Sequence, residues 1–195
     1  MPGSLVSGII MNTFLNAGKV IQTLHKNNNS GKVFKKSAPN NKLTLYLSSR
    51  DLIITDSTIE KLYGVLVVDP DYVQQRKVYG QVILTFRYGR EDEEVMGLKF
   101  CNEAIMCLAQ LYPPSISTPE ITTPLQDALL RRLGHNAFPF TMEMTAMAPP
   151  SVQLVPAKEY TGAPIGTSYD VRVYKRGEEV EEEEKEEEEE EEEGK

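Results

Sequence analysis

Apolar residues recur at every second position over several short stretches of the chain, and a period of two predicts half-buried strands. Val82, Leu84 and Phe86 alternate with polar or small residues between Val78 and Phe86. Strand-like runs also cover Lys42 to Leu47, Tyr63 to Val68, Gly97 to Leu111, Thr141 to Met144, Ser151 to Val155 and Tyr169 to Tyr174. Turn signals separate nearly all of them: Pro39-Asn40-Asn41, Asp69-Pro70-Asp71, Pro113-Pro114, Pro149-Pro150 and Thr161-Gly162. This punctuation predicts an all-β fold, an antiparallel β-sandwich of the immunoglobulin-like kind. One short α-helix interrupts it. Thr123 is its N-cap, Pro124 its first helical residue, Gln126 completes a capping box and Gly134 follows the last turn. Leu125, Leu129 and Leu133 fall on one side of that helix, as a core-facing stripe would, while Arg131 and Arg132 point elsewhere.

The strand ending at Phe86 runs into a charged loop, FRYGREDEEVMGL from Phe86 to Leu98. Gly89 and Gly97 bracket Arg90, Glu91, Asp92, Glu93 and Glu94, with Val95 and Met96 following. Successive acids repel each other and resist packing, so the loop stays in water unless it enters a pocket of complementary charge. Taken alone it reads as a solvated hairpin connection with an apolar tip.

Charge is unevenly spread. The 195 residues suffice for one domain with a real core, and 40% hydrophobic with 26% charged is ordinary for a soluble globule. Residues 176–195 hold 14 of the 29 acids and 3 of the 21 bases, a net of −11, which leaves +3 for the rest. The expected division is therefore a leader over 1–31, a sandwich domain over 32–175 and a disordered poly-Glu tail over 176–195. In the leader, Val6, Ile10, Phe14, Ala17, Ile21 and Leu24 share a helical face, but Gly3, Gly8, Gly18 and the Asn residues lower helix propensity. Poor order is expected there, without the features of a secretory signal. No apolar run is long enough for a membrane span. Cys101 and Cys107 lie six residues apart on one predicted strand, about 20 Å between their Cα atoms, too far for a disulfide. Two free thiols suit a reducing, cytoplasmic compartment.

Several segments in register carry a resemblance. KVFKKSAPNNKLTLYLSSRD from Lys32, GVLVVDPDYVQQRKVYGQ from Gly64, TPLQDALLRRLGHNAFPF from Thr123 and SVQLVPAKEYTG from Ser151 occur around the charged loop. In order and spacing this array resembles the amino-terminal domain of arrestins over Lys32 to Tyr174, with the closest likeness to the invertebrate visual type. The stretch Leu52 to Tyr63 departs from the family pattern, and the family's carboxyl-terminal domain is not in this sequence. The charged loop resembles the arrestin finger loop, so Tyr88, Gly89, Arg90, Glu91, Asp92, Glu93, Glu94, Val95, Met96, Gly97 and Leu98 would form the receptor-binding loop. By the same resemblance Lys35, Lys36, Arg50, Arg131 and Arg132 would bind phosphates. Val33, Phe34, Leu125, Leu129 and Leu133 would form a hydrophobic lock, here without the carboxyl-tail strand that closes it. Asp51 would be the amino-terminal acid of a polar core, hydrated or paired with a nearby base because its usual arginine partner lies beyond the likeness. Loss of the sandwich's last strand would leave an unpaired edge.

The sequence offers no Gly-rich phosphate loop and no metal-spaced cluster, and its two histidines, His25 and His135, lie in the leader and just past the helix. A binding protein is expected rather than an enzyme, with no cofactor or metal and no nucleic-acid partner. The resemblance implies a cytoplasmic adaptor that binds activated, phosphorylated G-protein-coupled receptors, a rhodopsin among the candidates, and ends signalling by excluding the G protein. Two other readings stay open: an acidic-tailed interaction module for basic partners, and a truncated splice product without function. The oligomeric state is open as well.

Overall fold

The computed structural model describes residues 9–17, 33–55, 58–74, 76–88, 94–95, 98–114, 122–145, 147–154 and 165–176. Most of the leader and the poly-Glu tail from residue 177 onward lie outside them.

Thirteen strands and two helices follow one another as β1 (Ile9–Ala17), β2 (Phe34–Ser37), β3 (Leu43–Leu47), β4 (Asp51–Thr55), β5 (Thr58–Ile59), β6 (Leu62–Val68), α1 (Pro70–Val73), β7 (Val78–Arg87), β8 (Glu94–Val95), β9 (Leu98–Lys99), β10 (Cys101–Tyr112), α2 (Pro124–Leu133), β11 (Ala137–Met142), β12 (Val152–Leu154) and β13 (Ile165–Lys175). A seven-stranded sheet runs β10-β7-β13-β1-β4-β5, with β12 paired to β13 beside β1, and a four-stranded sheet runs β11-β6-β3-β2. Their inner faces share one core. Leu43, Leu45, Leu47, Leu62, Leu66 and Phe140 of the smaller sheet pack with Val78, Val82, Leu84, Tyr169, Val171 and Val173 of the larger. The alternation is sharpest in β3, where Leu43, Leu45 and Leu47 are fully buried and Thr44 and Tyr46 only partly so. The antiparallel sandwich expected from the period-two pattern is the fold observed.

Three expectations are corrected. The first concerns the leader: Ile9–Ala17 is a strand, antiparallel to β13 over Ile9 to Thr13 and parallel to β4 over Phe14 to Ala17. Neither a helical face nor poor order describes this stretch. Gly and Asn argue against a helix locally, but the partners that make IIMNTFLNA a strand lie on β4 and, more than 150 residues away, on β13, and local propensity is blind to them. The second concerns the sandwich edge. β13 is not left open there, because β12 pairs with residues 165–167 and β1 with residues 169–173 on the side opposite β7. The third is a second helix: Asp69-Pro70-Asp71, read as a turn, winds into the single turn α1 because Asp69 Oδ1 accepts from the Asp71 and Tyr72 amides.

Helix α2 starts and stops where its signals fall. Thr123 Oγ1 accepts from Gln126 N at 3.3 Å while Gln126 Oε1 accepts from Thr123 N at 2.9 Å. The buried residue of this helix is Gln126, 2% exposed, whereas Leu125, Leu129 and Leu133 are half-buried. The other end of the same side chain explains this. Nε2 donates to the Gly64 carbonyl at 2.9 Å and the Phe140 carbonyl at 3.0 Å, on directly opposed residues of β6 and β11. The capping residue therefore also docks the helix on the sheet. A side chain at Gly64 would collide with the Phe140 ring and the Tyr46 carbonyl, so glycine permits this close approach. Strand β11 begins earlier than expected and contains Pro139, which an edge strand tolerates.

Candidate functional site

Strand β2 is an edge strand, and its two lysines are both exposed. Lys35 stands opposite Tyr46 in the register, with Nζ 5.8 Å from that ring's centroid. From β3 the chain crosses to the larger sheet through Ser48, Ser49 and Arg50. Hydrogen bonds pin this corner: Ser48 N and Oγ both donate to the Tyr63 carbonyl at 3.0 Å, and Ser49 Oγ donates to the Asp51 carbonyl at 2.7 Å while accepting from Asp51 N at 3.0 Å. Arg50 is held half-buried, its guanidinium carbon 5.1 Å from the Phe34 ring centroid. Phe34 in turn packs on the core.

The result is a cavity of about 150 Å³ lined by Met11, Phe34, Lys35, Lys36 and Arg50. Three cations around an apolar floor favour an anion, and the planar guanidinium can grip two oxygens where the lysines offer mobile point charges. The Lys36 charge also reaches Asp170 on β13. Burial raises the Asp170 carboxyl above its ordinary value, Arg172, Arg87 and Lys36 pull it down, and Glu103 pushes it up. Arg172 clasps Glu103 on the outer face of the larger sheet, with Nη1 donating to Oε2 at 2.8 Å and Nη2 to Oε1.

The other expected site residues are not among those lining this cavity. Arg131 and Arg132 are exposed in the last turn of α2, which packs against β6 and β11. Asp51 is exposed at the start of β4. Val33, like Phe34, is half-buried. In the charged loop Tyr88 is exposed, packs edge-on against Phe100 at 5.6 Å, and accepts at its hydroxyl from Asn102 Nδ2 at 2.9 Å. Beyond it, β8 and β9 pair as a small hairpin, Glu94 opposite Lys99 and Val95 opposite Leu98. Gly89, Arg90, Glu91, Asp92, Glu93, Met96 and Gly97 lie outside the described residues.

Sequence reasoning missed Met11 and the docking role of Gln126. A signal existed for Gln126, whose capping box was visible; none existed for Met11, whose position depends on long-range strand pairing. Among the described residues, no group of three or more His, Cys, Asp or Glu is close enough to hold a metal ion, and no helix is long and apolar enough to cross a membrane.

Residues 43–191 match the family model described as arrestin (or S-antigen), N-terminal domain. The chain is 46% identical over 145 residues to phosrestin-1 of Drosophila melanogaster, a match covering 74% of this chain and 36% of that protein. It is 46% identical over 143 residues to the lateral-eye arrestin of Limulus polyphemus, covering 73% and 35% respectively. Against beta-arrestin-2 of Homo sapiens the identity is 43% over 143 residues, again 73% and 35%. A crystal structure of squid arrestin superposes with a TM-score of 0.59 at 36% identity, covering 73% of this chain and 45% of that one. The chain spans little more than a third of the length of the curated relatives it matches.

Proposed function

This chain belongs to the arrestin family, and from that premise we propose that it is a receptor-binding adaptor module that recognises phosphates on an activated G-protein-coupled receptor. The observation that carries this reading is the cavity in which Lys35, Lys36 and Arg50 surround the Phe34 ring. Cations on an exposed edge strand and a half-buried guanidinium suit a ligand that arrives as an extended, anionic segment. Arg131 and Arg132, exposed in the last turn of α2, extend the basic surface for a longer phosphorylated tail.

Exposed ion pairs contribute only ~0 to 1 kcal/mol each, so three or four engaged together at about 0.7 kcal/mol give about a hundredfold in affinity. Such a reader responds to several phosphates and scarcely to one. The loop from Tyr88 to Leu98 is then the second element, entering the cavity that opens on the receptor's cytoplasmic side when it is activated. A module seated there excludes the G protein sterically and ends signalling. By the family likeness Val33, Phe34 and the α2 leucines correspond to one side of the hydrophobic lock, and Asp51, exposed at the start of β4, to the acid of the polar core.

The test is retention of the full chain on receptor-bearing membranes prepared in four states, active or inactive and phosphorylated or not. Strong retention on the active, phosphorylated state is expected. Equal retention on all four overturns the reading.

A further inference from the structure

We propose that strand β1 is the element that assembles the anion site: it holds Arg50 beside Lys35 and Lys36, and Met11 is a positioning residue through which it does so. The inference rests on the functional reading above for the identity of the anion, but its structural part stands separately.

In the sheet order of the described residues, β1 lies between β13 and β4. Among the described residues, the side of β4 away from β1 carries the two-residue strand β5. Asp51, the first residue of β4, is the register partner of Phe14, and Arg50 is its immediate neighbour. The Ser48 and Ser49 hydrogen bonds hold the Arg50 backbone from the side of β3, and the parallel pairing of Phe14 to Ala17 with Asp51 to Ile54 holds it from the side of the larger sheet. Parallel pairing is slightly less stable per residue than antiparallel, so this is the weaker of the two joints β1 makes.

The second contribution is apolar. Met11, opposite Val171 on β13, is 5% exposed and belongs to the core, yet it also lines the cavity with Phe34, Lys35, Lys36 and Arg50. A flexible thioether side chain fills irregular space, and here it backs the site whose Phe34 ring carries the Arg50 guanidinium. Strand β1 itself lies upstream of residue 43, where the family match begins, while its partners β4 and β13 lie within the match. Anion affinity becomes conditional on the seating of β1, and anything that competes for the β13–β4 gap lowers it.

The experiment introduces a protease site within residues 20–30 of the full chain, so that β1 can be cut free after folding and removed by dilution, as mass spectrometry verifies. Two quantities are read: amide exchange over residues 50–54, and the affinity for a multiply phosphorylated receptor-tail peptide. Removal of β1 is expected to speed exchange over 50–54 at least tenfold and to weaken peptide binding about tenfold. A synthetic peptide of sequence IIMNTFLNA should restore both, and one with Leu at the Met11 position should do so better than one with Ala. If exchange over 50–54 is unchanged, the inference is overturned whatever the peptide does. If exchange quickens but the intact chain never preferred the phosphopeptide, β1 positions Arg50 and it is the phosphate reading that fails. If exchange quickens while phosphopeptide binding holds, the conditional-affinity claim is overturned. The Met11→Ala and Met11→Leu full chains give the same comparison without cleavage: Leu should retain affinity and Ala lose severalfold, and equal affinities would remove Met11 from the argument.

Discussion

The guanidinium of Arg50 lies 5.1 Å from the centroid of the Phe34 ring, so a cation is stored against an aromatic face at the corner where the chain passes from one sheet to the other. Contacts of this kind contribute ~0.5 to 1 kcal/mol at exposed sites and more when desolvated. Phe34→Leu should therefore weaken phosphopeptide binding about two- to fivefold. Arg50→Lys should weaken it as much, because the ammonium loses both the stacking and the fork. Fluorescence anisotropy at low and moderate salt checks this, with both losses shrinking as salt screens the pair. Unchanged affinity in both variants would show that the corner does not face the ligand.

Gln126 joins the helix to the sheet, its Oε1 accepting from Thr123 N at the cap and its Nε2 donating to the buried Gly64 and Phe140 carbonyls, and a side chain without the amide loses these bonds. An unsatisfied buried group costs ~1 to 3 kcal/mol, so Gln126→Met should lower unfolding free energy by about 2 to 4 kcal/mol in urea. Gln126→Glu should be worse at neutral pH, where a carboxylate meets two carbonyl oxygens, and should recover in part on acidification as the acid regains one donor. A loss under 1 kcal/mol for Gln126→Met would contradict the docking role.

Asp170 makes a component of stability that runs against the usual carboxylate trend. Burial holds its carboxyl above the ordinary 3.8 despite Arg172, Arg87 and Lys36 nearby, and Glu103 adds to the rise. The folded chain then binds more protons than the unfolded chain between those two values, so this contribution is full below 3.8 and is lost as pH rises through the folded value. Asp170→Asn should remove that slope and raise the urea midpoint at neutral pH. Parallel pH profiles for the two proteins would contradict the assignment.

Tyr169 supplies the alkaline counterpart. Burial pushes its phenol up to about 12, and its hydroxyl donates to the Pro149 carbonyl at 2.6 Å. Stability from this group is full below pH 10 and is lost as pH rises toward 12. Tyr169→Phe should cost about 1 kcal/mol at neutral pH through the lost hydrogen bond, with the difference narrowing in alkali. Circular dichroism melts between pH 8 and 11.5 would show it.

What the sequence disclosed follows the range of the interactions involved. The strands β3, β6, β7 and β13 were legible because one face is buried in a shared core and the alternation records it, and α2 was legible because its caps are local. Strand β1 was not, since its partners on β13 and β4 lie far along the chain and its Asn and Gly neighbours suggest a coil. The α2 leucines illustrate a different limit: their spacing identifies a helical face, but the contact that buries this helix is polar and belongs to Gln126. At the site, Lys35, Lys36 and Arg50 were each named from the likeness, whereas their gathering around Phe34 and Met11 depends on the sheet crossing at Ser48 to Asp51.

The most direct measurement is the equilibrium affinity of the full chain for a multiply phosphorylated receptor-tail peptide against its unphosphorylated twin, at low and moderate salt. A preference of about ten- to a hundredfold for the phosphorylated peptide is expected, falling with salt and with substitution of Lys35, Lys36 or Arg50 by Gln. Equal affinity for the two peptides would contradict it, and would leave the arrestin sandwich here as a shared fold without phosphate sensing.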